Sequence, residues 1–520
     1  MALELIKENI ECEQLLAENF CDTVVKAEYL IPDTHPDVEK ILMLDARPSI
    51  VSKEVMQDKV YVEGQIEYNL LYMAREEEKL GIYKVSYTSK FSNYIEISGA
   101  DHKMTCEAEC YIEHMEKNIV NERKISIEGI IKLRCEVYRS YDFEFVKEVS
   151  GMDEMQLLRN PATIDKILGV VKEDIAANCQ LQIPKDRPQL GTILMCDALI
   201  RKKEIKLFEG KVMLSAMVCF KLLYRGKDTR EVAMLEENVV IDKEVEMDGA
   251  TGTMHSMGDF RVDSLNVDIK EDDLGESRII DVEAMVKAYA QVVYKEEIET
   301  IEDIYSPRAI MDMEKKNYQL NVLHGQNTSE VMVKGNLELE SSAHRVMESI
   351  MSCGEVCIVD KKIVEDKVVV DGILKVAVMY RTEDEENNLS MTEDEMPFTA
   401  SIDIPKTKID MQCIAKIHLD SLETAIEANT IAVKAVVCAY AKVSYLTNKE
   451  FMVNILPVEG EVPKKKASIT IYVVQCGDTL WKIAKRYYTT MDDIAKLNDI
   501  EDINCLKAGE KLIIPGRALL

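Results

Sequence analysis

The stretch from Lys59 reads KVYVEGQIEYNLLY, that from Lys211 reads KVMLSAMVCFKLLY, and that from Lys367 reads KVVVDGILKVAVMY. All three open Lys-Val and close on a tyrosine at one offset, at Tyr72, Tyr224 and Tyr380. The likeness extends outwards. ILMLDA from Ile41 matches ILMCDA from Ile193, and IPDTHPD from Ile31 matches IPKDRPQ from Ile183. Downstream, VDSLNVDI from Val262 resembles LDSLETAI from Leu419, and VEAMVKAYAQVVY from Val282 resembles VKAVVCAYAKVSY from Val433. The first copy is plainer there, with IEGIIKLRCEVY from Ile127. A chain with this self-similarity is built of tandem copies of one unit, here about 150 residues each. The boundaries expected from the matches are 1–150, 151–305 and 306–458, with a linker over 459–470 and a separate module over 471–517.

Within a copy the dominant period is two. Val60, Val62, Gly64, Ile66 and Tyr68 alternate with Tyr61, Glu63, Gln65 and Glu67, the pattern of a strand with one face on a core. Ile127, Gly129 and Ile131 repeat it against Ser126, Glu128 and Lys132. Acidic turns such as AREEEKLG and RTEDEENN separate strand pairs as solvated hairpin ends. The expected fold is mainly β: three sandwich-like repeats of antiparallel sheets, followed by a small α+β module of order βααβ.

Chemistry is hard to find in the repeats. They contain no G-x-x-x-x-G-K-[ST], no G-x-S-x-G and no H-E-x-x-H, and the seven histidines are scattered singly. His114 has no partner at a telling spacing. The repeated Asp45 and Asp197 read as turn caps, and the repeated tyrosines as amphipathic cover for a sheet edge. The fourteen cysteines include no C-x-x-C pair, and neither Cys106 with Cys110 nor Cys353 with Cys357 has a second pair or a histidine at zinc spacing. No metal site, cofactor or catalytic residue is therefore expected, and the repeats read as a scaffold. The net charge of −30 argues against nucleic acid and anionic lipid as partners. No apolar run is long enough to span a membrane, and the first residues, MALELIKENIECEQLL, lack the pattern of an export signal, so cytosolic residence is expected.

The last segment is different in kind. After the polar PVEGEVPKKKAS come a strand, IYVVQ, and a turn at Gly477 and Asp478. Leu480, Ile483, Ala484 and Tyr487 then recur at helical spacing as a buried stripe, with Trp481, Lys485 and Tyr488 on the neighbouring one. Thr490 and Asp493 have capping-box spacing for a second helix, and KLIIP from Lys511 closes the module. Trp481, the chain's single tryptophan, has two readings: a hot spot of a docking face, or packing onto the closing strand.

The sequence Y-x-V-x-x-GDTLW-x-IA, with Asn498 and the final G-x-x-L-x-IP, resembles the LysM domain, departing from its common pattern at Cys476 and Asp499. That resemblance implies a glycan groove formed by Gly477, Asp478, Thr479, Leu480, Asn498, Ile500 and Ile503. The repeats, with their Pro-Asp lead and K-V-x-V-x-G strand, resemble the SPOCS domain of spore-coat and sporulation proteins. Together the resemblances imply a non-enzymatic coat-morphogenesis scaffold in the mother-cell cytoplasm and at the forespore surface. They imply docking through the LysM domain onto the coat basement-layer ATPase, stage IV sporulation protein A, and contacts with other coat proteins. The alternative they leave open is binding of peptidoglycan or other N-acetylglucosamine polymers.

Overall fold

The computed structural model describes all residues except 1–2, 77–78, 153, 230, 340–344, 384–388, 428–429, 459–461, 463–468, 504 and 517–520. Most of the expected linker and the end of the RTEDEENN turn lie outside the described residues.

Among the described residues, each copy contributes six strands. In copy 1 these are β1 (Glu4–Leu30), β2 (Lys40–Met56), β3 (Lys59–Glu76), β4 (Lys79–Glu96), β5 (Thr105–Asn121) and β6 (Lys124–Ser150). Copy 2 has β7 (Gln156–Gln182), β8 (Leu190–Phe208), β9 (Lys211–Gly226), β10 (Val232–Glu246), β11 (His255–Glu271) and β12 (Ser277–Tyr305). Copy 3 has β13 (Ile310–Glu338), β14 (Val346–Val364), β15 (Lys367–Thr382), β16 (Leu389–Asp403), β17 (Gln412–Glu427) and β18 (Thr430–Val458). The module adds β19 (Ile469–Val473), α1 (Leu480–Arg486), α2 (Met491–Leu497) and β20 (Lys511–Pro515).

The topology repeats. The middle strands form a three-stranded antiparallel meander, β2-β3-β4 in copy 1, and the long first strand pairs with the long last one in a second sheet, β1-β6-β5. The two sheets face each other across one core, where Val25 of β1 and Ile127 and Leu133 of β6 meet Val62 and Ile66 of β3 and Phe91 of β4. The K-V-x-V strands are central in their meanders, and their hairpins turn on a left-handed residue: Asp58 (φ 59°), Gly210 (φ 71°) and Asp366 (φ 64°). Asp and Gly are among the residues that tolerate that region.

Two small expectations are corrected by this arrangement. Tyr72 and Tyr224 do not cover a sheet edge; they lie on central strands with no exposed surface. Each hydroxyl donates to a carbonyl of the proline-bearing lead, Pro36 O and Pro188 O, both at 3.1 Å. A buried hydroxyl needs such a partner, so the repeated tyrosine and the repeated prolines are two halves of one contact. Asp45 and Asp197 are not turn caps either. They sit within β2 and β8 of different copies, and the Arg47 guanidinium bridges both.

The alternation of β9 gives way near its end, where Val218 to Tyr224 are buried on both faces. Phe220, Leu222 and Tyr224 point into the core of copy 2, while Leu223 joins Leu71 and Met379, its counterparts in the other copies, in a second core that all three share. A further shared core gathers Phe143, Phe145, Ile164, Ile298, Leu320 and Phe451, and a third joins Val146 and Val149 with Ile301, Ile304, Met452 and Ile455. The copies therefore pack as a closed group in which each contributes equivalent residues to common cores.

The C-terminal module and its seat

The module is built as its sequence periodicity dictates. Thr479 caps α1, its hydroxyl accepting from the Lys482 N–H at 3.2 Å, and Thr490 caps α2 by accepting from the Asp493 N–H at 3.0 Å. Leu480, Ile483 and Ala484 are buried against Ile494, Leu512 and Ile514, with Tyr487 half-buried beside Tyr472. Gly477 takes φ +87°, a left-handed turn that suits glycine. Asp478 then closes the loop by accepting from Tyr472 Oη at 2.7 Å and from the Gln475 N–H at 2.8 Å. These two bonds hold its carboxyl below the ordinary aspartate value.

Asn498 staples α2 to the closing strand. Its Nδ2 donates to Ile494 O and Ile513 O, each at 2.8 Å, and its Oδ1 accepts from the Ile513 N–H at 2.6 Å. Asp499, the departure noted in the sequence, takes φ 50°, a left-handed position that Asp tolerates. Of the expected groove residues, Gly477 is exposed and Asp478 half-buried on one loop, Ile503 is exposed on another, Thr479 and Asn498 serve as caps, and Leu480 belongs to the module's core. Ile500 packs against that core and lines a shallow depression beside α2 with Asp492, Ala495, Lys496, Asp499 and Glu501.

Trp481 is buried, and part of its contact surface lies outside the module. It is 7 % exposed and belongs to a cluster that holds both Leu512 and Ile514 of the closing strand and Tyr305 from outside the module. The indole packs edge-on against Tyr305, the last residue of β12, with ring centroids 4.9 Å apart, and Nε1 donates to Asp303 Oδ2 at 2.8 Å. Lys485 Nζ reaches the other oxygen of Asp303 at 2.6 Å. Tyr305 Oη donates to Thr489 O at 2.9 Å, and Leu158 packs alongside. Tyr488, with φ 49°, is half-buried next to this contact. The stripe offered by Trp481 and Lys485 thus clamps the module onto the end of copy 2. Sequence reasoning found the stripe but missed Asp303 and Tyr305, which carry no motif. Their one signal is that the aligned strand ends of copies 1 and 3 hold Glu148 with Ser150 and Asn454 with Leu456 instead.

These features define a class of protein: sandwich repeats of antiparallel sheets packed together, bearing a βααβ module on one of them. Comparison with protein families names the parts. The family model described as SipL, SPOCS domain matches residues 37–120, 189–270 and 346–427, and the LysM domain model matches residues 472–515. The chain carries three SPOCS repeats followed by a C-terminal LysM domain. Each SPOCS match spans the four middle strands of a copy and leaves the long first and last strands outside. No match is found among curated proteins or solved structures. The two domain types are non-catalytic binding and scaffold domains, and together they mark a sporulation coat-associated protein with a LysM binding module. Among the described residues, no helix is long and apolar enough to cross a membrane.

Proposed function

We propose that the chain is a non-enzymatic scaffold of spore-coat morphogenesis, working in the mother-cell cytoplasm and at the forespore surface. In this reading its three units, 1–150, 151–305 and 306–458, form a rigid body. Its LysM domain docks onto the coat basement-layer ATPase, stage IV sporulation protein A, and so helps tether the coat around the forespore. The observation that carries the reading is the combination of three SPOCS repeats with one LysM domain in a single chain.

The seat supports a division of labour within the module. Trp481 and Lys485 are engaged by Asp303, so the surface left for a partner is the loop of Gly477 and Asp478 together with the loop reaching Ile503. Exposed loops held by internal hydrogen bonds, as Asp478 holds its own, are ordered before they bind and lose less entropy on docking.

The test compares the full chain with a chain lacking residues 471–517, in binding to the purified ATPase and in sedimentation with insoluble peptidoglycan. Module-dependent binding to the ATPase is expected. Undiminished binding after the deletion overturns the docking role, and module-dependent sedimentation with peptidoglycan without ATPase binding establishes the glycan reading in its place.

A further inference from the structure

In every copy the strand corresponding to β5 carries a bulge, and the bulged residue is acidic. It is Glu113 in copy 1, between the paired Ile112 and His114; Asp263 in copy 2, between Val262 and Ser264; and Asp420 in copy 3, between Leu419 and Ser421. The residue two places earlier pairs with a fixed position on the last strand of the copy. Those pairs are Tyr111 with Lys132, Arg261 with Lys287, and His418 with Cys438. On its other side the same position faces an acid of the first strand: Asp22, Asp174 and Glu330 respectively.

Copies 1 and 2 solve this clustering of carboxylates in the same way. Lys132 lies 2.9 Å from Glu113 and 3.9 Å from Asp22, and Lys287 lies 2.7 Å from Asp263. An ammonium between two acids is an ordinary structural pairing. In copy 3 the acids remain, but the lysine is replaced by Cys438 and the neighbouring residue is His418. A thiol offers the carboxylates no positive charge. Burial pushes the Cys438 thiol up to about 11, and the nearby Asp420 and Glu330 add to the effect.

What stands in place of the ammonium is a set of metal donors. The ligand atoms of His418, Asp420 and Cys438 lie within 4.8 Å of one another. His418 Nε2 and Asp420 Oδ1 are 3.2 Å apart, with side chains 22 % and 13 % exposed. Two ligands at about 2.05 Å on a tetrahedral zinc ion are about 3.3 Å apart, so this pair is already at coordination spacing. The Asp420 carboxylate is oriented from outside the set by the backbone N–H of Lys202, a residue of copy 2, at 3.0 Å, as metal-bound carboxylates commonly are. The three donors line a cavity of about 1270 Å³ between the copies, together with Glu330, Lys202 and Tyr440. A three-residue nitrogen, oxygen and sulfur set with an open side is the donor set of a zinc site with one position left for water or an outside ligand.

The geometry points to a divalent transition-metal site in copy 3, of Zn²⁺ type, with His418, Asp420 and Cys438 as ligands and the metal taking the charge position that a lysine ammonium holds in copies 1 and 2. Sequence spacing could not show it, because the donors come from two strands and meet only through their register. Binding would release the Cys438 proton, since the thiolate is the ligand.

The test uses the full chain, purified under reducing conditions, stripped of metal and titrated with Zn²⁺, and with Co²⁺ as a spectroscopic probe. One Zn²⁺ per chain is expected, and Co²⁺ should give a thiolate-to-metal charge-transfer band. Cys438→Lys, which installs the residue of the other two copies, should keep the melting temperature, abolish the band and weaken Zn²⁺ binding by about 100-fold or more. Should Cys438→Lys not fold, His418→Tyr, the copy 1 residue, replaces it with the same loss expected. Absence of stoichiometric binding by the wild type overturns the proposal. So does a band that survives unchanged in the variant that folds, which would assign the metal to other residues.

Discussion

Replacing Asp303 by alanine removes the carboxylate that Trp481 and Lys485 of the LysM domain share. Its bond from the Trp481 indole, 2.8 Å long and ending on a charged acceptor, belongs to a class worth about 1.5–3 kcal/mol. The Lys485 bond at 2.6 Å is short, but that side chain is 36 % exposed, so solvent screening reduces it to about 0.5 kcal/mol. The loss of about 2–3.5 kcal/mol shifts the equilibrium between seated and released module by roughly 30- to 300-fold. The copies should be untouched, because their shared cores do not use Asp303. Trp481 is the chain's only tryptophan, so intrinsic fluorescence reads the seat directly. Asp303→Ala should red-shift the emission and raise acrylamide quenching, and Tyr305→Ser, which installs the copy 1 residue, should do the same. Emission and quenching unchanged in both variants would refute the seat. ATPase affinity measured alongside should stay constant if the Gly477 and Ile503 loops carry docking; a rise would show that the partner competes for Trp481.

Three further perturbations test the rest. A Cβ at Gly64 would lie 2.2 Å from Phe91 Cζ and 2.5 Å from Ser49 O, whereas copy 2 pairs Ala216 with Ile241 at the equivalent place. Gly64→Ala should therefore cost about 1–3 kcal/mol in chemical denaturation, and Phe91→Ile added to it should recover part of that loss, whereas simple additivity would contradict the pairing. Phe451→Ala empties a fully buried site whose ring lies 4.8 Å from Phe143 and 5.5 Å from Phe145 of copy 1, and should cost about 3–5 kcal/mol in calorimetry; a loss below about 1 kcal/mol would mean that copies 1 and 3 are not coupled there. Asp478 has a depressed carboxyl pKa, so its contribution to stability is present above the ordinary value of 3.8 and lost as pH falls through the lower folded value. The melting-temperature gap between wild type and Asp478→Asn should accordingly close on acidification through that window, and a gap that persists below it would show that the carboxylate charge is not what counts.

Much of the fold was legible because two-residue alternation and internal repetition are local signals. Val60, Val62 and Ile66 announce a strand wherever it goes, and Leu480, Ile483 and Ala484 announce a helix. The second face was not legible. Leu223 reads as one more apolar residue in KLLY, and only the presence of two neighbouring copies makes it part of a common core. Asp45 and Tyr72 were misread because their contacts are tertiary: Arg47, on the same strand as Asp45, reaches across to Asp197 of another copy, and Tyr72 bonds the carbonyl of Pro36 in the lead segment of its own copy. At the candidate site, the cap Thr490 was visible as spacing, whereas Thr479 was read only as a groove residue and its capping of the first helix was not foreseen. Asp303, Tyr305 and the meeting of His418 with Cys438 follow from strand register, which a single sequence does not print.

The pairing of each copy's first and last strands gives the body an oriented face. Glu4 lies opposite Ser150, Gln156 opposite Tyr305, and Ile310 opposite Val458, so the chain arrives at and departs from each unit at one place. Those three places converge, because the core formed by Val146, Ile301 and Met452 lies just inside them and Leu3, Met155 and Met313 pack against it. The body is thus polar in the sense that a plate with a front and a back is polar. Its front gathers both junctions between units, the departure toward the LysM domain and the Tyr305 platform on which that domain rests.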